Sequence, residues 1–425
     1  MISPPRLFPP SLLAALVVVA TSVAPASLLH AQDAAPVPSD TLARLAQAGE
    51  PPMSELRDIG DVIGEVLGRK KVQTEAELQP RPGLSVVALP SIGYNPAYGG
   101  YGGVGASAGG WFGDPNRTKV SVFALNATYS TQHQLTIQFK SDAWVPGNKW
   151  NFKGDARYLD TSQPTYGLGP TDAQTAGKFP MEFKMWRLYE TIYVRTSGSV
   201  YVGFGYHLNI HDDILDERAA AGEATPFTIY SRGAPRVTTA SGLSGNVLVD
   251  SRDSPIFTRR GLFWNASLRF YNQGLGSDDD WQELLSDFRA YPPMPKGSRS
   301  VLALWNSLWM TFGHAPYLDL PAIGWDTYGK SGRGYVQGRL RAPNQIYQEA
   351  EYRYLITRDE LFGGVFFLNA TASTLPAGNF GPLDPGIGLG LRVKFIKRTR
   401  TNLTLDYGWG NSNSKGLYLG TQEVF

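Results

Sequence analysis

Cysteine is absent from the 425 residues, and histidine occurs only five times. Without cysteine there is no thiolate zinc site, iron–sulfur cluster, thiol nucleophile, disulfide or lipid-modified N-terminal cysteine. Charge is scarce as well, at 18% of residues, where ordinary soluble domains carry about a quarter. Its two signs nearly cancel, 39 basic residues against 37 acidic for a net charge of +2. That balance leaves no basic stripe for nucleic acid and no acidic tail. Long apolar runs are missing too, apart from residues 11–29, which Pro25 interrupts. What is plentiful is glycine (47) together with Tyr (21), Phe (20) and Trp (10). The combination suits many short strands joined by tight turns, not a helical or doubly wound protein.

The one apolar run follows Arg6 and ends in Leu29-His30-Ala31 before Gln32. An apolar stretch near Leu12–Ala20 with cleavage after Ala31 predicts a secretory signal over 1–31, so the chain is expected to leave the cytoplasm. Residues 32–80 are expected to form a periplasmic linker, rich in Ala and Pro and then briefly periodic. Leu56, Ile59, Val62, Ile63, Val66 and Leu67 make one apolar stripe, with Ser54 placed to cap a helix and Gly68 to end it. This predicts a short amphipathic helix, in a barrel mouth or on a membrane surface.

Over 81–425 the period becomes two. Leu403, Leu405, Tyr407 and Trp409 alternate with Asn402, Thr404, Asp406 and Gly408. Ile387, Leu389, Leu391, Val393 and Phe395 alternate with Gly386, Gly388, Gly390, Arg392 and Lys394, while Tyr347, Glu349, Glu351 and Arg353 share one face of a third segment. One face is mostly apolar and aromatic; the other carries charge and glycine. A soluble sandwich alternates too. Several segments here, however, are about ten residues long, enough to cross a bilayer when tilted.

Candidate strands lie near 83–91, 99–111, 118–129, 134–144, 149–158, 181–194, 199–209 and 241–252. They continue near 262–271, 281–291, 300–313, 338–355, 361–371, 386–395, 401–409 and 416–425. Links from even to odd strands are short, whereas the odd-to-even links include 159–180, 210–240, 314–337 and 372–385. Short turns on one rim and long loops on the other fit an outer-membrane barrel. The expected fold is all-β: a 16-stranded antiparallel transmembrane β-barrel with a short N-terminal periplasmic segment. Its expected place is the bacterial outer membrane, with lipids and lipopolysaccharide as partners.

At this point the chain resembles the BamA/TamA superfamily of outer-membrane proteins, the bacterial surface antigens. Tyr166-Gly167-Leu168-Gly169 matches a recurring phrase, and Asp250-Ser251-Arg252-Asp253-Ser254-Pro255 before Arg260-Gly261 resembles a strand-turn signature. Arg333-Gly334-Tyr335, closing 314–337, resembles the tip of the family's sixth loop, which folds back inside the barrel. Ala350-Glu351-Tyr352-Arg353, Gly364-Val365-Phe366-Phe367 and Gly388-Leu389-Gly390-Leu391-Arg392 follow at family-like spacing, and Phe425 supplies the terminal aromatic of a C-terminal strand signal. There are departures. Gly332 stands where Val is frequent, and Asn369 stands where an Asp receives the loop arginine. Residues 32–80 are too short for a POTRA domain, and Thr421 and Glu423 interrupt the last strand's apolar alternation.

The resemblance implies that Arg333 pins the loop to the inner wall, because an arginine inside a barrel needs carboxylates or carbonyls around its planar fork. The inward parity of the 338–355 segment offers Glu349 and Glu351, with Asn369 accepting a neutral hydrogen bond. Asp212, Asp213 and Asp216, and separately Asp278, Asp279 and Asp280, could in principle take Ca²⁺, but the expected reading is solvated loop charge. No Gly-x-Ser-x-Gly elbow or paired-histidine motif occurs, and Gly102–Gly110 lies between strand-like segments, so it is no phosphate loop. No catalytic residue, metal, cofactor or nucleic acid is expected. The expected role is assisting insertion or transport of protein or lipid at the outer membrane, with an unfolded or secreted protein as substrate. The alternatives are a passive channel and a barrel that anchors or exports a partner protein.

Overall fold

In the computed structural model, residues 384–396 show why this chain seeks a membrane. Ile387, Leu389 and Leu391 are 45%, 54% and 55% exposed, whereas Arg392 and Lys394 of the same strand are 4% and 1% exposed. Soluble proteins bury leucine and solvate lysine; here the order is reversed. Such a strand is stable when its outer face meets hydrocarbon and its inner face meets polar groups. Residues 55–68, 82–95 and 99–425 are described, apart from 116, 171–176, 296–297, 328, 376–377, 398–399 and 412. The expected signal segment and Ser54 cap lie outside these residues.

The strands are β1 (Gly83–Asn95), β2 (Gly99–Trp111), β3 (Ser121–Ser130), β4 (Leu135–Trp144), β5 (Trp150–Ser162), β6 (Met181–Ser197), β7 (Val200–Asp216) and β8 (Thr238–Asp250). They continue as β9 (Gly261–Tyr271), β10 (Trp281–Tyr291), β11 (Val301–Gly313), β12 (Asn344–Leu355), β13 (Phe362–Ser373), β14 (Asp384–Ile396), β15 (Thr401–Gly410) and β16 (Lys415–Thr421). All belong to one 16-stranded sheet in sequence order, each antiparallel to the next. The sheet curls until β1 and β16 approach each other. Among the described residues no hydrogen-bonded ladder joins these two edges. The fold is a transmembrane antiparallel barrel with an unlaced seam. Every other strand has its backbone groups satisfied by neighbours on both sides, the condition for crossing lipid.

Two expected strands need correction. The segment expected to start at 338 begins only at Asn344, because 338–343 is the returning arm of the long loop: Gly338 has φ +77°, and Arg341 bridges to Ala322. The last strand stops at Thr421, where Gln422 takes φ +72° and turns the chain inward. β6 and β7, each 17 residues, exceed what a bilayer requires. Their ends form an apolar cluster in which Met181, Phe183, Met185 and Ile214 meet Phe227, Tyr317 and Trp325.

The predicted helix appears as α1 (Ile59–Val66). Its cap is Asp58, which shares reciprocal 3.0 Å bonds with Asp61. The same carboxylates hold Lys397, at 3.1 Å to its backbone N–H and 2.9 Å to its Nζ. Arg57 donates its N–H to the Asp359 carbonyl at 3.0 Å, and Leu56 is buried. α1 is thereby clamped to the short turns after β12 and β14.

Candidate functional site

The loop 314–343 is anchored first by packing. Tyr317, Leu320, Ala322 and Trp325 enter the apolar cluster, and Arg341 Nη1 donates to the carbonyls of Tyr317, Leu318 and Leu320 at 3.0, 3.0 and 3.3 Å. Asp319 lies buried among them, accepting from Asn209 Nδ2 at 2.6 Å, with its other oxygen 3.6 Å from His211 Nδ1. Burial pushes the Asp319 carboxyl up to about 7, against the downward pull of the Asn209 bond and of Arg187 and Arg341. The loop then crosses the interior. The Thr327 carbonyl accepts from Lys140 on β4 and Arg157 on β5, both at 2.7 Å, and Lys330 Nζ donates to the Glu423 carbonyl at 2.8 Å.

Its tip is Arg333-Gly334-Tyr335, lying on β12–β15. A turn closes with the Tyr335 N–H donating to the Gly332 carbonyl at 2.9 Å, and Gly332 and Gly334 have φ +76° and +105°. The departure from Val at 332 therefore has a local cause: a Cβ on this left-handed residue would sit 2.8 Å from Ile323. Beneath the tip the wall has lost its side chains. A Cβ on Gly386 would stand 2.9 Å from the Arg333 carbonyl, one on Gly408 2.8 Å from the Gly334 nitrogen, and one on Gly410 2.6 Å from the Tyr335 ring. This glycine bed lets two backbones touch. Tyr418 then accepts from the Gly334 N–H and donates to the Tyr335 carbonyl, each at 2.9 Å, while Tyr335 Oη donates to the Pro385 carbonyl at 2.5 Å.

The Arg333 guanidinium lies 3.6 Å above the Phe367 ring centre and is 3% exposed. It pairs with Glu349 and Glu351, and with Asp406 at 2.8 Å. From there the charges alternate around a closed circuit. Asp406 meets Arg392 at 2.5 Å, Arg392 meets Glu423 at 2.7 Å, Glu423 lies 3.8 Å from Arg353, and Arg353 meets Glu351 at 2.7 Å. Each buried ion thus has opposite charges beside it, the arrangement in which a low-dielectric interior tolerates them. Phe425 belongs to the same unit. Its carbonyl accepts from Arg353 Nη2 at 2.7 Å, and its ring packs 5.3 Å from Trp305.

The structure therefore brings together Arg333, Gly334 and Tyr335 with Glu349 and Glu351. Asn369 is present with its direction reversed: its Nδ2 donates to the Arg333 carbonyl at 2.9 Å and does not accept from the guanidinium. The third acceptor is Asp406 on β15, which sequence reasoning passed over although it shares inward parity with Asn402 and Thr404. Phe425 does not end a lipid-facing strand; it is 5% exposed inside the barrel. Among the described residues no cluster of His, Asp and Glu is arranged to hold a metal. Asp213 pairs with Lys184 at 2.7 Å, Asp216 accepts from Thr225 Oγ1 at 2.6 Å, and Asp278 and Asp280 accept backbone N–H groups of Thr239 and Gln273, both at 2.8 Å.

No protein-family model and no curated protein matches the chain. Solved structures do. BamA from Haemophilus ducreyi lacking POTRA domains 1–3 superposes with a TM-score of 0.51 at 14% identity, over 80% of this chain and 70% of that one. CdiB from Acinetobacter baumannii and CdiB from Escherichia coli each give 0.50, at 12% and 10% identity, again over 80% of this chain. The chain spans 59% and 62% of the lengths of those two proteins. At such identities what is shared is architecture, and the architecture is that of an outer-membrane barrel similar to BamA and CdiB.

Proposed function

We propose that this barrel works in the bacterial outer membrane, helping another polypeptide to insert into or cross that membrane. The observation that carries the reading is the pair of unladdered strand edges, β1 and β16, facing each other across a seam. A free strand edge is a template for pairing with another chain. In hydrocarbon the incentive is larger, since unpaired N–H and C=O groups have no water to meet. The pinned loop supports the same reading, because a strap from β4–β5 to β14–β15 divides the lumen. The work would be physical: a weak seam lowers the barrier for a strand to enter lipid, and no bond is made or broken. Lipids and lipopolysaccharide are the partners of the outward apolar band.

The test follows the folding rate of a separate unfolded outer-membrane protein in liposomes containing the purified barrel. Empty liposomes and liposomes with an unrelated porin are the controls. Acceleration above both is the expected result. A rate equal to the controls would sink insertase activity. It would favour a second reading, conduction, which the half-exposed interior of β2–β4 supports; single-channel current would then be measured.

A further inference from the structure

The helix α1 faces the wrong way for water. Its carboxylates look toward the barrel: Asp58 accepts from the Lys397 backbone N–H at 3.1 Å and Asp61 from Lys397 Nζ at 2.9 Å, and Lys397 is only 6% exposed. Its aliphatic stripe looks away. Ile63, Val66 and Leu67 are 52%, 81% and 63% exposed, and none of the eight helical residues is buried. A surface helix in water does the opposite, packing its apolar stripe on the core and solvating its charges. The reversal is the one seen on β14, where Leu389 and Leu391 look outward and Lys394 inward. One physical cause explains both: hydrocarbon outside and polar groups within.

The place where α1 is held says what lies against that stripe. Arg57 ties the start of the helix to the turn 356–361 through the Asp359 carbonyl. Just before this turn, Tyr352 and Tyr354 stand exposed on the outer face of β12 with ring centres 6.2 Å apart. Outward aromatics near a strand end mark where hydrocarbon gives way to headgroups. Ile356 and Phe362, at the two ends of the turn, extend the exposed apolar band past these rings. Charge agrees with that depth. Arg358 in the same turn is exposed, and Arg69-Lys70-Lys71 follow the helix directly in the sequence, the sign that anionic headgroups attract. We infer that α1 lies in the periplasmic surface of the outer membrane, with Ile63, Val66 and Leu67 set into the acyl boundary of the lipid that surrounds the barrel. The helix then anchors the β12–β14 wall in that leaflet. This rests on the membrane placement of the barrel and not on its assisting insertion.

Because the chain has no cysteine, Val66→Cys or Leu67→Cys places a single nitroxide label in the full chain folded into liposomes. Collision of the label with oxygen, which concentrates in acyl chains, is compared with collision with a water-soluble nickel chelate. Leu389→Cys on β14 gives the lipid-facing reference, and Glu65→Cys gives the reference on the polar face of α1. The oxygen-to-nickel ratio at 66 and 67 is expected to exceed that at 65 by about threefold or more and to approach that at 389. Two sites on one stripe keep the test valid if one variant does not fold. A ratio at both sites equal to that at 65 would put the stripe in water and overturn the inference. So would weak collision with both reagents, which would mean that a protein surface covers it, another segment of this chain or a second copy. A water-like ratio at 389 as well would overturn the membrane placement itself and this inference with it, so the two failures are told apart.

Discussion

The two walls that meet at the seam are built differently. On one side, β2 to β4 turn largely half-exposed side chains toward the interior. On the other, β12 to β15 carry alternating buried residues, among them Glu349, Glu351, Arg353, Arg392 and Asp406, which engage the loop and the C-terminal residues. Glycine makes the contrast sharper, because both walls are rich in it for different reasons. A Cβ on Gly105 of β2 would meet nothing nearer than Asn126 Oδ1 at 3.8 Å, whereas one on Gly408 of β15 would strike the Gly334 backbone at 2.8 Å. The first wall is smooth with room to spare; the second is smooth because another backbone lies on it. A seam between a loose wall and a clamped one is expected to yield on its loose side, β1 with its neighbours.

The comparison breaks most readily at Arg333. Arg333→Ala leaves Glu349, Glu351 and Asp406 facing each other without their shared cation, a loss of about 3–5 kcal/mol for a buried pair deprived of one partner. The heat-modifiable gel shift of the folded barrel should move down by several degrees, with a change in conductance as the strap loosens. Unchanged values for both would show that the clamped wall does not depend on its circuit. The glycine pair comes next. Gly408→Ala should destabilise by about 1–3 kcal/mol through overpacking, while Gly105→Ala should stay within about 0.5 kcal/mol. Equal effects on urea-unfolding midpoints in detergent would erase the distinction between the walls.

How much of this was legible beforehand depended on range. The barrel could be read because lipid on one side and polar groups on the other impose a period of two on each strand separately, as 386–395 and 401–409 show. Glu349 and Glu351 were found by the same parity. Asp406 obeys that parity as well, but nothing near it in sequence announces an arginine 73 residues away. The glycine bed was hidden more deeply, since Gly386, Gly408 and Gly410 read as an ordinary polar face until the loop is seen lying on them. The ends of the last strand misled for a local reason: Gln422 adopts a left-handed conformation that its residue type does not signal. A terminal phenylalanine looks the same whether it faces lipid or Trp305.

A smaller effect is expected at the C-terminal residues. Glu423 joins Arg392 at 2.7 Å and Asn402 at 2.8 Å, so Glu423→Gln keeps the shape and removes one charge from the circuit. Because Glu351 and Asp406 still neutralise Arg353 and Arg392, the cost should be about 1–2 kcal/mol, near that of one charge-assisted bond. Combined with Arg333→Ala it should be less than additive, since both act on one network. Strict additivity in the same heat-modifiability assay would mean that the loop tip and the C-terminal residues are independent.

The smallest expected effect separates the two halves of the loop itself. Its tip is held by the ion pairs of Arg333, whereas its first arm buries Asp319 with its carboxyl raised to about 7. A folded-state value above the ordinary carboxylate value means that the folded arm holds a proton the released arm gives up. The contribution of Asp319 is therefore full below about 4 and is lost as pH rises through about 7. Geometry agrees: Asp319 Oδ2 lies 3.6 Å from His211 Nδ1, and among the described residues neither atom has a hydrogen-bond partner, so no donor stabilises a negative charge on Oδ2. Amide exchange at 317–320, corrected for the intrinsic pH dependence, should show greater protection at pH 5.5 than at pH 8. Asp319→Asn should flatten the difference by keeping the arm docked at both. Protection that rises toward pH 8 in the native chain would reverse the assignment and place the arm under the control of an ionised Asp319.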